Sequence, residues 1–164
     1  MRSVSGLLLA TGTVMALAGC GGSSSSTSTG GGAAFAVQAQ AICSQVNGQV
    51  AALPAITTTT NLLTTGKKEI SLSTAAIAKL KAVTAPDAKK AVYTAYVAGV
   101  TQETELLQQA LSAIKAGDKA KTEQLLGQSK SLDASLQAKA KSLGLTACTA
   151  NVQPGSAKST SSSS

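Results

Sequence analysis

Apolar side chains recur every three to four residues along four long segments of this chain, and no segment alternates apolar and polar residues as a strand would. This spacing places the apolar residues of each segment on one face of an α-helix. It predicts helices over about residues 33–53, 61–83, 85–116 and 119–143. Because most of the connections are short, four such amphipathic helices favour an all-α, antiparallel up-down four-helix bundle.

Start and stop signals accompany the helical pattern. Residues 84–87 read Thr-Ala-Pro-Asp, which predicts a threonine cap with proline in the first turn of the third helix. Residues 117–118 read Gly-Asp, so glycine would end the third helix and aspartate would cap the fourth, which Gly144 would end. Residues 57–60 predict a loop, and Gly66 weakens the start of the second helix and leaves Lys67 as an alternative beginning.

The N-terminus carries a pattern typical of a targeting segment. Arg2 precedes an apolar run over residues 6–18, which is too short for a membrane-spanning helix of roughly 20 residues. The run ends in Leu17-Ala18-Gly19-Cys20, which resembles the lipobox of bacterial lipoprotein signal peptides. The resemblance implies removal of residues 1–19 and a thioether-linked diacylglycerol on Cys20, with or without an N-acyl chain. The alternative is an ordinary signal peptide followed by a chance cysteine.

Two polar segments flank the predicted domain. Residues 20–32 are rich in Gly, Ser and Thr and predict a flexible tether after the lipidated cysteine. Residues 149–164 form a Ser-rich stretch that predicts a disordered tail. The folded domain is therefore expected over residues 33–148, held at the extracytoplasmic face of a cell membrane by its lipid.

Two further cysteines remain once Cys20 is assigned to the lipid. Cys43 lies early in the first predicted helix, and Cys148 lies just past the fourth. In an up-down bundle, the start of the first helix and the end of the fourth lie at the same end. Because exported chains fold in an oxidising compartment, we expect a Cys43–Cys148 disulfide. The alternative is a pair of free redox thiols, although no CxxC motif accompanies them.

Composition excludes several classes of function. The chain has no histidine, which excludes Ser-His-Asp and Cys-His catalysis, histidine metal ligands and the di-iron bundle site. It has no phosphate-binding glycine loop, and its seven acids are too scattered for a calcium loop. After the leader the cations are 13 lysines and no arginine, with few aromatics, so we expect solvated helix faces rather than nucleic-acid binding. We therefore expect no enzyme, no metal and no cofactor beyond the lipid.

The third helix holds the candidate ligand-binding residues. Val92, Tyr96, Glu103 and Leu107 share its apolar stripe, so Glu103 is a carboxylate at an apparent core position. Such a group binds a ligand or handles a proton, or else it reaches solvent or pairs with a neighbouring lysine. Tyr93 and Tyr96 could ligate haem iron, or they could simply fill the bundle seam. A cavity lined by Tyr96 and Glu103 would favour a ligand carrier.

The predicted domain also resembles small uncharacterised lipoproteins of high-GC Gram-positive bacteria. The resemblance rests on a cysteine early in the first helix, Ala-Pro before a Tyr-containing helix, and Gly-Asp between the last two helices, followed by Leu143-Gly144-Leu145 and Cys148. It implies a four-helix, one-disulfide domain and no particular activity. We expect a monomeric, non-enzymatic interaction or structural module of the cell envelope that binds an unknown envelope protein. The alternative is a carrier that binds a small ligand between its helices.

Overall fold

The computed structural model describes residues 29–157. Four helices, α1 (Thr29–Ala51), α2 (Thr59–Ala82), α3 (Asp87–Ala116) and α4 (Lys119–Leu143), are followed by a short 3₁₀ helix, Thr146–Thr149. Consecutive helices pack against each other, and the 3₁₀ helix contacts both α1 and α4. Across residues 29–157 no strand is present, and the Cys43–Cys148 disulfide is formed, so the predicted all-α bundle is confirmed. The predicted signal peptide, the predicted lipidation site at Cys20 and residues 158–164 lie outside the described residues.

Both ends of the domain extend further than the sequence predicts. Helix α1 begins at Thr29, inside the segment expected to be tether. At the other end, the backbone N–H of Gly155 donates a hydrogen bond to the carbonyl of Ala51 at 3.2 Å. Gly155 has a φ of +85°, and a Cβ there would lie 2.6 Å from that of Ala55. Residues 149–157, expected to be disordered, therefore return along the end of α1, and a glycine permits the close approach.

The helix caps agree with the sequence except at the start of α3. The Asp118 carboxylate accepts the N–H of Lys121 at 2.9 Å, and Gly117 and Gly144 adopt left-handed φ values of 72° and 78°. These three caps confirm the predicted boundaries. The predicted threonine cap of α3 is wrong, because the N-cap is Pro86, which makes no side-chain hydrogen bond. The proline restricts the preceding residue to extended backbone, so the helix starts only after it.

Helix α2 begins eight residues before the alternative start at Lys67, so that alternative is wrong. Thr58 caps it by accepting the N–H of Asn61 at 3.1 Å, and the helix takes in the last two residues of the predicted 57–60 loop. Gly66 lies buried within it, where a Cβ would come 2.7 Å from Cδ1 of Leu111 on α3. Glycine at this position allows α2 and α3 to approach closely, and packing outweighs its low helix propensity.

The apolar core lies in two parts that are separated along α3 and α4. On α3, Tyr93, Tyr96 and Val97 belong to the first part, whereas Leu106 belongs to the second. The predicted inward position of Val92 is wrong, since this side chain is 38 % exposed and Tyr93 is buried in its place. The first part also contains Phe35, Ala39, Cys43, Leu80, Leu136, Ala140, Leu143 and Leu145, and the second contains Ala110, Ala113 and Leu125. Glu103, the polar member of the predicted stripe on α3, lies in the interval between the two parts.

Candidate ligand cleft

A cleft of about 460 Å³ opens at the interval between the two parts of the core. All four helices line it, and residues 150–153 after the disulfide complete its wall. Tyr96 and Glu103 both lie on its surface, seven residues apart on α3. The structure therefore brings together two of the three residues that the sequence singled out on this helix.

Three carboxylates from three helices line the cleft. Glu69 comes from α2, Glu103 from α3 and Asp133 from α4, and each is half-buried. Gln137 donates a hydrogen bond from Nε2 to Oδ2 of Asp133 at 2.9 Å. Between residues 29 and 157, neither glutamate carboxylate forms a hydrogen bond or an ion pair. Lys130 is the cation among the lining residues, and it is exposed.

The surroundings of the glutamates disfavour their charged forms. Burial raises the pKa of Glu103, and the negative charges of Asp133 and Glu69 raise it further. Burial also raises the pKa of Glu69. Because desolvation and like charges both oppose ionisation, these carboxylates are poised to take up a proton or a cation.

Tyr96 presents its hydroxyl to the cleft from a buried position. The side chain is 4 % exposed, and its hydroxyl has no hydrogen-bond partner among residues 29–157. Burial raises the pKa of Tyr96 to about 12, with smaller contributions from Tyr93 and Glu103. The hydroxyl therefore stays neutral around pH 7, where it can both donate and accept a hydrogen bond.

Tyr93 has a structural environment instead. Its hydroxyl donates a hydrogen bond to the carbonyl of Leu80 at 2.8 Å, and its ring packs edge-on against Phe35 at 4.9 Å between centroids. It does not line the cleft. The third residue that the sequence singled out thus stacks on the ring of Tyr96 at 6.5 Å between centroids but stays outside the cleft, and its hydroxyl links α3 to the end of α2.

The disulfide forms part of the cleft wall. Cys43 and Cys148 both line the cleft, and their Cα atoms are 5.1 Å apart. Next to them, Nδ2 of Asn47 donates a hydrogen bond to the carbonyl of Ala147 at 2.8 Å. These two connections fix the segment after α4 against α1, and so hold one side of the cleft in place.

Sequence reasoning missed Glu69 and Asp133, although both carry a recognisable signal. Asp133 lies three residues before the buried Leu136 on α4. Glu69 lies seven residues before the buried Ala76 on α2. These spacings place each acid on the inward face of its helix, where a carboxylate, like that of Glu103, indicates a ligand-binding group or a group that needs a partner. The inward acids of α2, α3 and α4, taken together, indicate polar residues at the helix interfaces, although their spacing alone does not predict that all three line one cleft.

Two classes of feature are absent from residues 29–157. No helix in that range is long and apolar enough to cross a membrane. No three His, Cys, Asp or Glu side chains of these residues are grouped so that they could hold a metal ion.

The chain matches no protein-family model, no curated protein and no solved structure.

Proposed function

We propose that this chain is a lipid-anchored, extracytoplasmic carrier that binds a small ligand in the cleft between its helices. The observation that carries the proposal is the cleft itself, about 460 Å³ in volume and lined by Tyr96 and Glu103. Sites for small molecules typically have about 300–1,000 Å³ and combine apolar walls with a few convergent polar groups. Sequence reasoning alone favours an interaction module, and the cleft is what favours the carrier instead.

The lipobox-like sequence ending at Cys20 supports the location. The disulfide also supports it, because such bonds persist in oxidising compartments outside the cytosol. An extracytoplasmic carrier on a lipid anchor would keep its ligand close to the membrane without needing a spanning helix. Two or three acyl chains on one cysteine suffice for stable anchoring.

The large exposed apolar side chains give less support to an interaction module. Val37 on α1, Ile56 in the loop before α2, Val92 on α3 and Leu126 on α4 are 67 %, 41 %, 38 % and 52 % exposed, and Leu126 is itself a lining residue of the cleft. Side chains exposed singly on different elements are ordinary features of a protein surface.

Native mass spectrometry of the full chain extracted from membranes tests the carrier function. Ser73 lines the cleft on α2, and Ser71 lies on the exposed side of the same helix. We expect a small molecule to co-purify with the wild type and with Ser71→Trp, and to be lost from Ser73→Trp, whose indole fills the cleft. If no small molecule accompanies the wild type, or if the two tryptophan variants retain it equally, the carrier function is wrong.

Membrane fractionation tests the anchor separately. Cys20→Ser removes the thiol that would carry the lipid, so the variant should leave the membrane fraction while its helical circular dichroism and its disulfide persist. If the Cys20→Ser protein stays membrane-bound after a salt wash, the lipid-anchor part of the proposal is wrong.

A further inference from the structure

We propose that the cleft selects an organic cation, a protonated amine on an apolar body, which the negative charge of Glu69, Glu103 and Asp133 attracts and which can reach the hydroxyl of Tyr96. This inference rests on the carrier function and names the class of its ligand. The first observation behind it is the sign of the charge in the cleft. The chain as a whole carries a net charge of +7, yet the lining residues include three acids and one lysine.

The charge count covers every element that faces the cleft. Helix α1 contributes no titratable side chain, because Cys43 is in the disulfide, and residues 150–153 contribute none. Helix α2 contributes Glu69, α3 contributes Glu103 and Tyr96, and α4 contributes Asp133 with the exposed Lys130. The titratable side chains that line the cleft thus carry more negative than positive charge, which favours a cation there.

Tyr96 provides a second kind of polar group that a ligand can reach. Its hydroxyl oxygen is not among the buried polar atoms without a partner, because it remains accessible from the cleft that the residue lines. The Tyr96 side chain is 4 % exposed, lines the cleft and has no partner for its hydroxyl within the part of the chain that the structure describes. An ammonium group in the cleft could donate a hydrogen bond to this oxygen while the charge of the lining carboxylates holds it there.

The size and the walls of the cleft favour an organic cation. A volume of about 460 Å³ far exceeds that of a single ammonium ion. Val46, Val50 and Leu107 supply apolar wall from α1 and α3. A short alkyl chain could lie on this wall while its charged end reaches the carboxylates, which is the usual division between apolar and polar contacts in small-molecule sites.

A proton competes with an organic cation for these carboxylates, and the binding of the cation should therefore depend on pH. Because the pKa of Glu103 and that of Glu69 are raised, lowering the pH protonates these groups and removes the charge that a cation needs. We therefore expect amine binding to weaken as the pH falls through the raised pKa values, and to reach a plateau above them.

The experiment is isothermal titration calorimetry of the full chain solubilised from membranes, with a detergent-only titration subtracted. The probes are 1,4-diaminobutane, butylamine and the neutral analogue 1,4-butanediol. We expect both amines to bind with a stoichiometry of one, the diamine more tightly because its second charge is also attracted by the three acids that line the cleft, and the diol to give no heat of binding. Glu103→Gln should weaken diamine binding by about tenfold or more, since hydrogen bonds to charged groups are the stronger ones.

Glu105→Gln is the matched control, because it removes the same charge from the exposed side of α3. It should change the affinity by less than about twofold, since exposed charges are screened. Tyr96→Phe should weaken the binding several-fold while leaving the circular dichroism spectrum unchanged. Equal effects of Glu103→Gln and Glu105→Gln would show a non-specific charge effect and overturn the proposal.

The outcomes separate this inference from the carrier function. If a neutral or anionic compound co-purifies and is lost from Ser73→Trp, while neither amine gives heat, the carrier function stands and the cation inference is wrong. If no compound co-purifies with the wild type, or if Ser73→Trp retains it as Ser71→Trp does, the carrier function itself fails. Amine binding that is lost in both Ser73→Trp and Glu103→Gln supports both.

Discussion

Removal of the disulfide should destabilise this domain strongly. The bond joins residues 105 positions apart, so it cross-links almost the whole domain in the unfolded state. For a loop of that length the chain-entropy relation gives about 4.8 kcal/mol of stabilisation at 25 °C. A domain of about 130 residues unfolds with an entropy of about 0.27 kcal/mol/K near its midpoint. Cys43→Ala combined with Cys148→Ala should therefore lower the Tm by about 18 °C.

Thermal unfolding followed by far-ultraviolet circular dichroism measures this change. The wild type under reducing conditions keeps both sulfur atoms, so its Tm should fall by a similar amount and isolate the contribution of the cross-link. A reductant should not alter the Tm of the double variant. The reasoning is refuted if the double variant, or the reduced wild type, melts within about 5 °C of the oxidised protein, because the entropy relation requires a shift several times larger.

Three further predictions concern single positions. The folded-state pKa of Glu103 is raised above its ordinary value of 4.5, so the free energy of unfolding should fall as the pH rises through that raised value. In urea titrations, Glu103→Gln should flatten this pH dependence and should be more stable than the wild type at pH 7. Asp118→Ala removes the 2.9 Å capping hydrogen bond from the N–H of Lys121 and should lower the free energy of unfolding by about 1 kcal/mol in the same urea titration. An unchanged urea midpoint would show that this hydrogen bond does not stabilise α4. Gly66→Ala places a methyl group 2.7 Å from the side chain of Leu111, whereas the methyl group of Gly127→Ala meets no atom within 4 Å. The Gly66→Ala protein should therefore be about 2 kcal/mol less stable than the Gly127→Ala protein, and equal stabilities would exclude the close approach of α2 and α3 at this position.

Much of the fold could be predicted from the spacing of apolar residues and from a few helix-capping residues. Gly117, Asp118 and Gly144 mark helix ends through local backbone conformation and hydrogen bonds, which depend on near neighbours in the sequence. The pairing of Cys43 with Cys148 is confirmed, and it follows from the cysteine count in an oxidising compartment. The expectation that Cys43 lies early in the first helix is wrong, because α1 begins at Thr29 and Cys43 lies in its second half.

Features that depend on packing between distant segments could not be predicted from the sequence pattern. Gly66 weakens a helix by its propensity, and only the position of Leu111 on another helix shows why glycine is present. The return of Gly155 to the carbonyl of Ala51 likewise joins segments about a hundred residues apart. At the start of α3, a common capping pattern at Thr84 competes with the restriction that proline places on its preceding residue, and the restriction dominates.

The cleft was predictable in part. Tyr96 and Glu103 lie on one face of one helix, so the 3.6-residue period brings them together without tertiary information. Their joining with Glu69 and Asp133 requires the rotation and register of three helices, which the sequence pattern leaves open. The difference between Tyr93 and Tyr96 depends on which carbonyl lies within reach, and the carbonyl of Leu80 reaches only the first of them.

The position of the disulfide also determines how the domain responds to mechanical load. A force applied between residues 29 and 157 enters through α1 and through the segment after α4, and it meets the Cys43–Cys148 bond from both sides. Only about 23 of the described residues lie outside that bond, and they extend to about 80 Å when pulled straight. Without the bond the same stretch of chain would lengthen to about 440 Å. Three of the four helices and the acidic residues of the cleft thus lie in a part of the chain that bears no tension while the bond is intact.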